Sequence, residues 1–565
     1  MHSNTTRRTF VKGLAAGGLL GGLGLWRSPV WALTSPGQPT VLAGIEFDLF
    51  IDQSPVNLTG RKRTALTING SLPGPLLRWR EGDTVTLRVN NRLAESTSIH
   101  WHGILLPSNM DGVPGLSFKG IEPGGVFVYQ FTVKQHGTYW YHSHSGFQEQ
   151  QGVYGPLVID PREPEPYTYQ RDYVVMLSDW TDEDPVALMK TLKKQSDYYN
   201  LHKPTVGDFV RDVGKQGGSA TVADRLMWAQ MKMNPTDLAD VSGETYTYLL
   251  NGQPPGRNWT GVFKAGETIR LRFINGSAMS YFDVRIPGLK MTVIAADGQP
   301  VQPVSVDEFR IAVAETFDVL VEPTAEAYTL FAQSMDRSGY ARGTLARQTG
   351  ATAPVPALDP RPWITMDDMG MGGMDHGAMA DMPGMDHSAM SMQAHPASEQ
   401  DNPLVDMQAM SPVPKLDDPG IGLRNNGRRV LTYADLRSTF EDPDGRDPSR
   451  TIELHLTGHM EKFAWSFNGV KFSDAEPLQL AYGERVRLVL VNDTMMSHPI
   501  HLHGLWSDLE DENGQFQVRK HTIDMPPGSR RSYRVTADAL GRWAYHCHLL
   551  YHMEMGMFRE VRVHE

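Results

Sequence analysis

Three stretches of the chain repeat one pattern, and that repetition limits its fold more than any other feature. "INGSLPGPLLRWREGDTVTLRVNN" surrounds Gly82, "LNGQPPGRNWTGVFKAGETIRLRFIN" surrounds Gly266, and "FNGVKFSDAEPLQLAYGERVRLVLVN" surrounds Gly483. Each has an Asn-Gly turn, a later glycine followed by an acid, alternating apolar residues, and an asparagine nine positions after that glycine: Asn91, Asn275 and Asn492. Alternation marks half-buried strands and Asn-Gly marks hairpin turns. Three copies at domain-sized separation predict three related β domains, over about 40–162, 170–350 and 421–565. Between Thr181 and Val241 the alternation lapses, and "PVALMKTLKKQSDYYN" and "VADRLMWAQMKM" predict a helical insertion in the second domain, about 181–241.

Two segments stand outside this scheme. "TTRRTFVKGLAAGGLLGGLGLW" carries the Arg7–Arg8 pair ahead of a short glycine-rich apolar run, which reads as a twin-arginine export signal over 1–32, cleaved after Ala32. Export of the folded chain to the periplasm is the expectation. The second segment, 351–420, is expected to be a Met/His-rich flexible linker; its centre, Met366 to Met392, has nine methionines in 27 residues and no aromatic or β-branched side chain. The repeats "MDHGAM" and "MDHSAM" inside it, with His376 and His387, combine thioether and imidazole, a donor set suited to cuprous copper.

Charge narrows the partners. A net charge of −12 with few basic runs argues against nucleic acid, whose phosphates need clustered Lys and Arg. A monomer is expected.

The chemistry concentrates in four histidine clusters that hold ten of the twenty histidines: "HWHG" (His100, His102), "YHSH" (His142, His144), "HPIHLHG" (His498, His501, His503) and "HCHLLYH" (His546, His548, His552). Two lie in the first repeat and two in the third. Residues i and i+2 of a strand share a face, so each His-x-His pair presents two imidazoles in one direction. Eight histidines can then converge where the first and third domains meet. The same geometry turns Cys547, the only cysteine, to the opposite face from His546 and His548. Cys547 with His498, His552 and Met557 makes a His₂Cys set with a weak thioether, the blue-copper donor set. A zinc site would satisfy any single cluster but leaves the other histidines unexplained.

These clusters, in this order at both ends of a three-repeat chain, resemble the multicopper oxidases over nearly the whole length. The twin-arginine leader and Met-His repeats are similar to the copper-resistance protein A branch of that family. The resemblance implies an all-β protein of three cupredoxin-like Greek-key β-sandwich domains and four copper ions. It implies a type 1 copper on His498, Cys547, His552 and axial Met557, and a type 2 copper on His100 and His501. It implies a type 3 pair on His102, His142, His144, His503, His546 and His548. The Cys547 backbone, continuous with His546 and His548, is then the electron path, and Asp111 in "NMDGVPG" the carboxylate that helps deliver protons. The family's second carboxylate has no clear match, Glu554 being the nearest acid. The implied activity is oxidation of Cu(I), with phenols as a further reductant class, coupled to reduction of O2 to water and serving copper tolerance alongside other periplasmic copper-handling proteins. A general phenol-oxidising laccase and a copper-sequestering protein are the alternatives. Met553 and Met555 beside His552, and Met227, Met231 and Met233 in the insertion, are either copper-binding or packing residues. His455 and His459 in "HLTGHM" read as structural.

Overall fold

A computed structural model describes residues 40–371 and 393–565. Among these the strands form six sheets in three pairs, one pair for each repeat. The pairs share a connection rule. Glu46–Val56 lies parallel to Thr84–Asn91 in one sheet, and Leu76–Arg80 parallel to Tyr154–Asp160 in the other. Arg171–Thr181 with Ile269–Asn275, and Trp259–Val262 with Tyr340–Ala346, repeat this in the second unit. Arg450–His459 with Arg485–Asn492, and Leu478–Ala481 with Phe558–His564, repeat it in the third. Parallel neighbours in mostly antiparallel sheets cannot be joined by tight hairpins, so the chain crosses between the layers of each sandwich.

The repeated residues earn their positions physically. Asn69, Asn251 and Asn468 have φ of 54°, 49° and 52°, each followed by a positive-φ glycine, the backbone of a type I′ turn. The asparagine that ends each motif is buried and pins the loop after its strand. Asn91 Nδ2 donates to the Glu95 and Ile121 carbonyls while its Oδ1 accepts from Leu93 N. Asn275 bridges Ser280 O, Ile311 O and Ser277 N in the same way, and Asn492 bridges Met496 O, Met525 O and Thr494 N.

The insertion contains three helices, Pro185–Lys194, Val206–Gln216 and Gly218–Met231. Asp184 caps the first, accepting from Ala187 N at 2.8 Å, and Thr205 with Asp208 forms a capping box on the second. The second helix buries no residue, although Val206, Phe209, Val210 and Val213 recur at helical spacing along it.

The stretch 351–420 differs from a flexible linker wherever it is described. Ile364, Met369, Met407, Ala409 and Leu416 are buried against the sandwiches, and residues 372–392, with His376 and His387, lie outside the described residues. Low-complexity composition covers only the centre of that stretch; its flanks carry enough apolar side chains to dock.

Because Asn275 is fully buried and joins three backbone groups, Asn275→Ala leaves two carbonyls and an N–H without partners. The expected cost is about 3 kcal/mol, read as a lowered urea midpoint of the copper-free protein; an unchanged midpoint would remove the pinning role.

Candidate metal centre

Two strands of the third unit fix the site. His498–Leu502 pairs antiparallel with Gly541–Cys547 so that His501 stands opposite His546 and Ile500 opposite Cys547. In the first unit His100–His102 pairs with Gly137–His142, setting His100 opposite His142 while Trp101 turns into the core. Alternation therefore sends the histidines of both units to one junction and the thiol away from it.

At that junction the rings form two triangles and a pair. His102, His142 and His548 have centroids 4.9–5.7 Å apart. His144, His503 and His546 lie 5.0–5.2 Å apart. His100 and His501 are separated by 5.8 Å. Ligand atoms of His100 also come within 4.8 Å of those of His144 and His503, so the eight rings make one continuous cluster.

Acceptors behind the rings orient them. His142 Nδ1 meets Glu149 Oε2 at 2.5 Å, His501 Nδ1 meets the His521 carbonyl at 2.6 Å, and His546 Nδ1 meets the Cys547 carbonyl at 2.9 Å. Asp111 serves two rings: its carbonyl lies 2.8 Å from His100 Nδ1 and its Oδ2 lies 2.9 Å from His503 Nδ1. With Nδ1 engaged, Nε2 faces inward. Buried Nε2 of His100, His144 and His501, and Nδ1 of His102 and His548, have no hydrogen-bond partner among the described residues. Buried nitrogens aimed at one another without protons to share are what bound cations would satisfy, and an all-imidazole set suits copper.

On the other face of the strand, Cys547 Sγ lies 3.5 Å from His498 Nδ1 and 3.9 Å from His552 Nδ1, and the two nitrogens are 3.2 Å apart. Here Nε2 is the engaged atom, at 2.7 Å from Thr494 Oγ1 for His498 and 2.7 Å from Asp240 Oδ2 for His552. Trp465 stacks on the His552 ring at 3.9 Å. Met557 is buried and tied in by its backbone, accepting from Cys547 N and donating to the His552 carbonyl. A thiol, two convergent imidazoles and a nearby thioether fit a blue-copper ion.

All ten histidines of the four clusters, with Cys547 and Asp111, thus reach one of these two places, and Met557 is tied to Cys547 through the backbone. Four contributors lack a sequence signal. His521 stands alone in "KHT", with no histidine two residues away, yet its Nδ1 lies 3.2 Å from His102 Nε2. Glu149 follows "YHSH" in an unremarkable glutamine-rich turn. Asp297 accepts from the backbone of His521 and Thr522, and Asp240 belongs to the close of the insertion. The second unit therefore supplies carboxylates, not imidazoles. Glu554 is exposed, unlike buried Asp111.

Burial, reinforced by neighbouring rings, holds His102, His142, His144, His501, His503 and His548 well below the usual imidazole range, His546 down to about 3 and His521 to about 4, while burial pushes the Cys547 thiol up. In the unfolded chain these rings protonate near pH 6.5. Below that pH the unfolded state binds more protons, so the copper-free protein loses stability as pH falls from about 6.5 toward 4. The unfolding temperature of the apoprotein should accordingly fall between pH 7 and pH 5, because only the unfolded chain takes up protons there; an unfolding temperature that does not change over that range would contradict the buried-imidazole reading.

Comparison with known proteins places this geometry. Profiles of the multicopper oxidase family match residues 51–164, 171–352 and 445–565. The chain is 74% identical to copper resistance protein A of Pseudomonas syringae pv. tomato, covering 100% of both chains. It is 69% identical to copper resistance protein A of Escherichia coli, over 99% of each. The crystal structure of Fet3p, a multicopper oxidase that functions in iron import, shares the fold at a TM-score of 0.65 and 19% identity, over 92% of this chain and 90% of that one. The chain belongs to the multicopper oxidase family, in its copper-resistance protein A branch, and is an oxidoreductase whose family implies four copper ions.

Proposed function

We propose that the enzyme oxidises Cu(I) and reduces O2 to water, four Cu(I) and four protons per O2, after export to the periplasm by the twin-arginine signal. The signal, residues 1–32, lies outside the described residues. In this reading His498, Cys547, His552 and Met557 hold the type 1 copper, and His100 and His501 the type 2. His102, His142 and His548 hold one type 3 ion, and His144, His503 and His546 the other. The bound coppers supply one-electron redox chemistry and the reduction of dioxygen.

The observation that carries Cu(I) as substrate is the surrounding of His552. Its Nε2 is covered by Asp240 at 2.7 Å. Asp240 N in turn donates to Asp237 Oδ1 at 3.2 Å. Asp237, Met233 and Met460 line a cavity of about 330 Å³. Asp237 Oδ2 and Asp240 Oδ1 are buried without hydrogen-bond partners, and no Lys or Arg pairs with either carboxylate among the described residues. Burial pushes Asp240 up to about 8, and burial together with the neighbouring Asp240 carboxylate pushes Asp237 well above the carboxylate range. Thioethers beside a carboxylate bind cuprous ion, whose electron leaves through His552, and the harder carboxylate oxygen favours the cupric ion that remains. A phenol would need an open apolar face at His552, which Asp240 and Trp465 occupy. Met553 and Met555 pack against the core.

Protons are the second requirement. Asp111 Oδ2 holds His503, whereas its Oδ1 has no hydrogen bond and lies 3.2 Å from His100 Nδ1. That free oxygen can take a proton from water and release it beside the His100–His501 pair. The Met/His segment, where it lies beyond the described residues, is read as the collector that raises Cu(I) concentration near the cavity.

Oxygen consumption with Cu(I) against a small phenol tests the assignment. Asp240→Asn should keep the blue absorption and reduce kcat/KM for Cu(I) about 10–100-fold, the effect of losing one charged partner of the bound cation, with phenol turnover changed much less. Equal losses for both reductants would give Asp240 a structural role and remove the support for Cu(I).

A further inference from the structure

The stretch Gln393 to Met410 runs beside the strand Arg450–His459 and gathers a cluster unlike the two metal sets above. His395, Glu399, His455 and Asp493 each place a ligand atom within 4.8 Å of the others. Three of them are fully buried, and the His395 side chain is 13% exposed. His455 Nδ1 lies 2.6 Å from Asp493 Oδ2 and 3.7 Å from Glu399 Oε1; His395 Nδ1 lies 3.2 Å from Asp493 Oδ2 and 3.3 Å from Glu399 Oε2. Four ligands held about 2.1 Å from one tetrahedral ion are separated by roughly 3.4 Å. The four nitrogen–oxygen separations, which involve both Glu399 oxygens, run from 2.6 to 3.7 Å around that value.

The surrounding hydrogen bonds hold the cluster from outside, while its inward atoms pair with one another and Glu399 Oε1 with none. Asp493 Oδ1 accepts from Ala409 N at 2.7 Å, which spares Oδ2. Glu399 Oε2 accepts from Gln408 Nε2 at 3.1 Å, and Glu399 Oε1 has no hydrogen-bond partner although its side chain is fully buried. On the outer side, His395 Nε2 meets the Ala409 carbonyl at 3.2 Å and His455 Nε2 meets Glu453 Oε1 at 3.3 Å. Both rings thus face acceptors at both nitrogens. Without an ion each must carry two protons, and a divalent ion replaces the two inward protons with no change of net charge. His395 and Glu399 also line a cavity of about 530 Å³ with Met371, Met407 and Met410, which gives an ion a route in.

We infer that His395, Glu399, His455 and Asp493 form a further cation site, separate from the four coppers, for a divalent ion of borderline softness, Cu(II) or Zn(II). Two imidazoles and two carboxylates suit both ions and are a poor match for Cu(I), which the thioethers favour. The site cross-links 393–410 to the loop that begins at Asp493. The next residue, Thr494, meets His498 Nε2 at 2.7 Å, so the ion would brace the Cys547 set from behind.

The test uses the full-length enzyme already carrying its four coppers. Zn(II) and, separately, Cu(II) are titrated by calorimetry, and bound metal is counted after gel filtration. Wild type should retain one more equivalent of each ion than His395→Ala and Glu399→Gln, with blue absorption equal in all three proteins. The Met/His segment is present throughout, so its own binding cancels in the difference. His395→Ala, at the exposed edge, and the isosteric Glu399→Gln keep the comparison available even where His455→Ala fails to fold. Equal stoichiometry in wild type and both variants would overturn the site and leave a proton-bridged cluster.

Discussion

The alternation of side chains along one β-strand sets the layout of both metal sets. In Gly541–Cys547 and the residue that follows, successive positions point to opposite faces, so one thiol and two imidazoles that are covalent neighbours serve two different sites. The cross-strand partners obey the same rule, His501 beside His546 and Ile500 beside Cys547. No other arrangement of three consecutive residues would keep the sites apart in space and adjacent in bonds. The sandwiches, the pinned asparagine loops and the docking of the first unit onto the third all serve to hold the remaining ligands around that strand.

Burying so many imidazoles has an electrostatic consequence. Desolvation, with neighbouring rings adding to it in the eight-histidine cluster, keeps rings such as His102, His144, His501 and His548 neutral, so their inward nitrogens carry lone pairs at ordinary pH. Orientation comes from acceptors outside the cluster: Asp111, Glu149, the His521 and Cys547 carbonyls, Thr494 and Asp240. Which nitrogen is engaged divides the sites, since Nδ1 is mostly taken in the eight-histidine cluster and Nε2 in the Cys547 set. The second unit lacks histidines of its own in its sheets but provides Asp240 to one set and Asp297 to the other, and so fixes both.

The fold and the convergence of the histidines and Cys547 on two places were legible because they rest on local spacing. His-x-His on a strand and the glycine-to-asparagine interval are short-range patterns whose geometry is known before any tertiary contact. What stayed hidden depends on distant pairings. His521 joins His102 across 419 positions and Asp240 joins His552 across 312. Neither residue has a neighbour that marks it. His455 looks structural in isolation, and only the docking of 393–410 brings His395 and Glu399 to it. That docking was itself obscured by the methionine-rich composition next to it, which describes its own residues and not the flanks.

Replacing Cys547 with serine tests the central claim, that one strand serves two sites through its opposite faces. The account predicts that Cys547→Ser loses the intense blue absorption and the oxidase activity, folds normally, and still binds three coppers, because His546 and His548 remain in place on the other face. Retention of the blue colour, or loss of all four coppers from a folded protein, would contradict it.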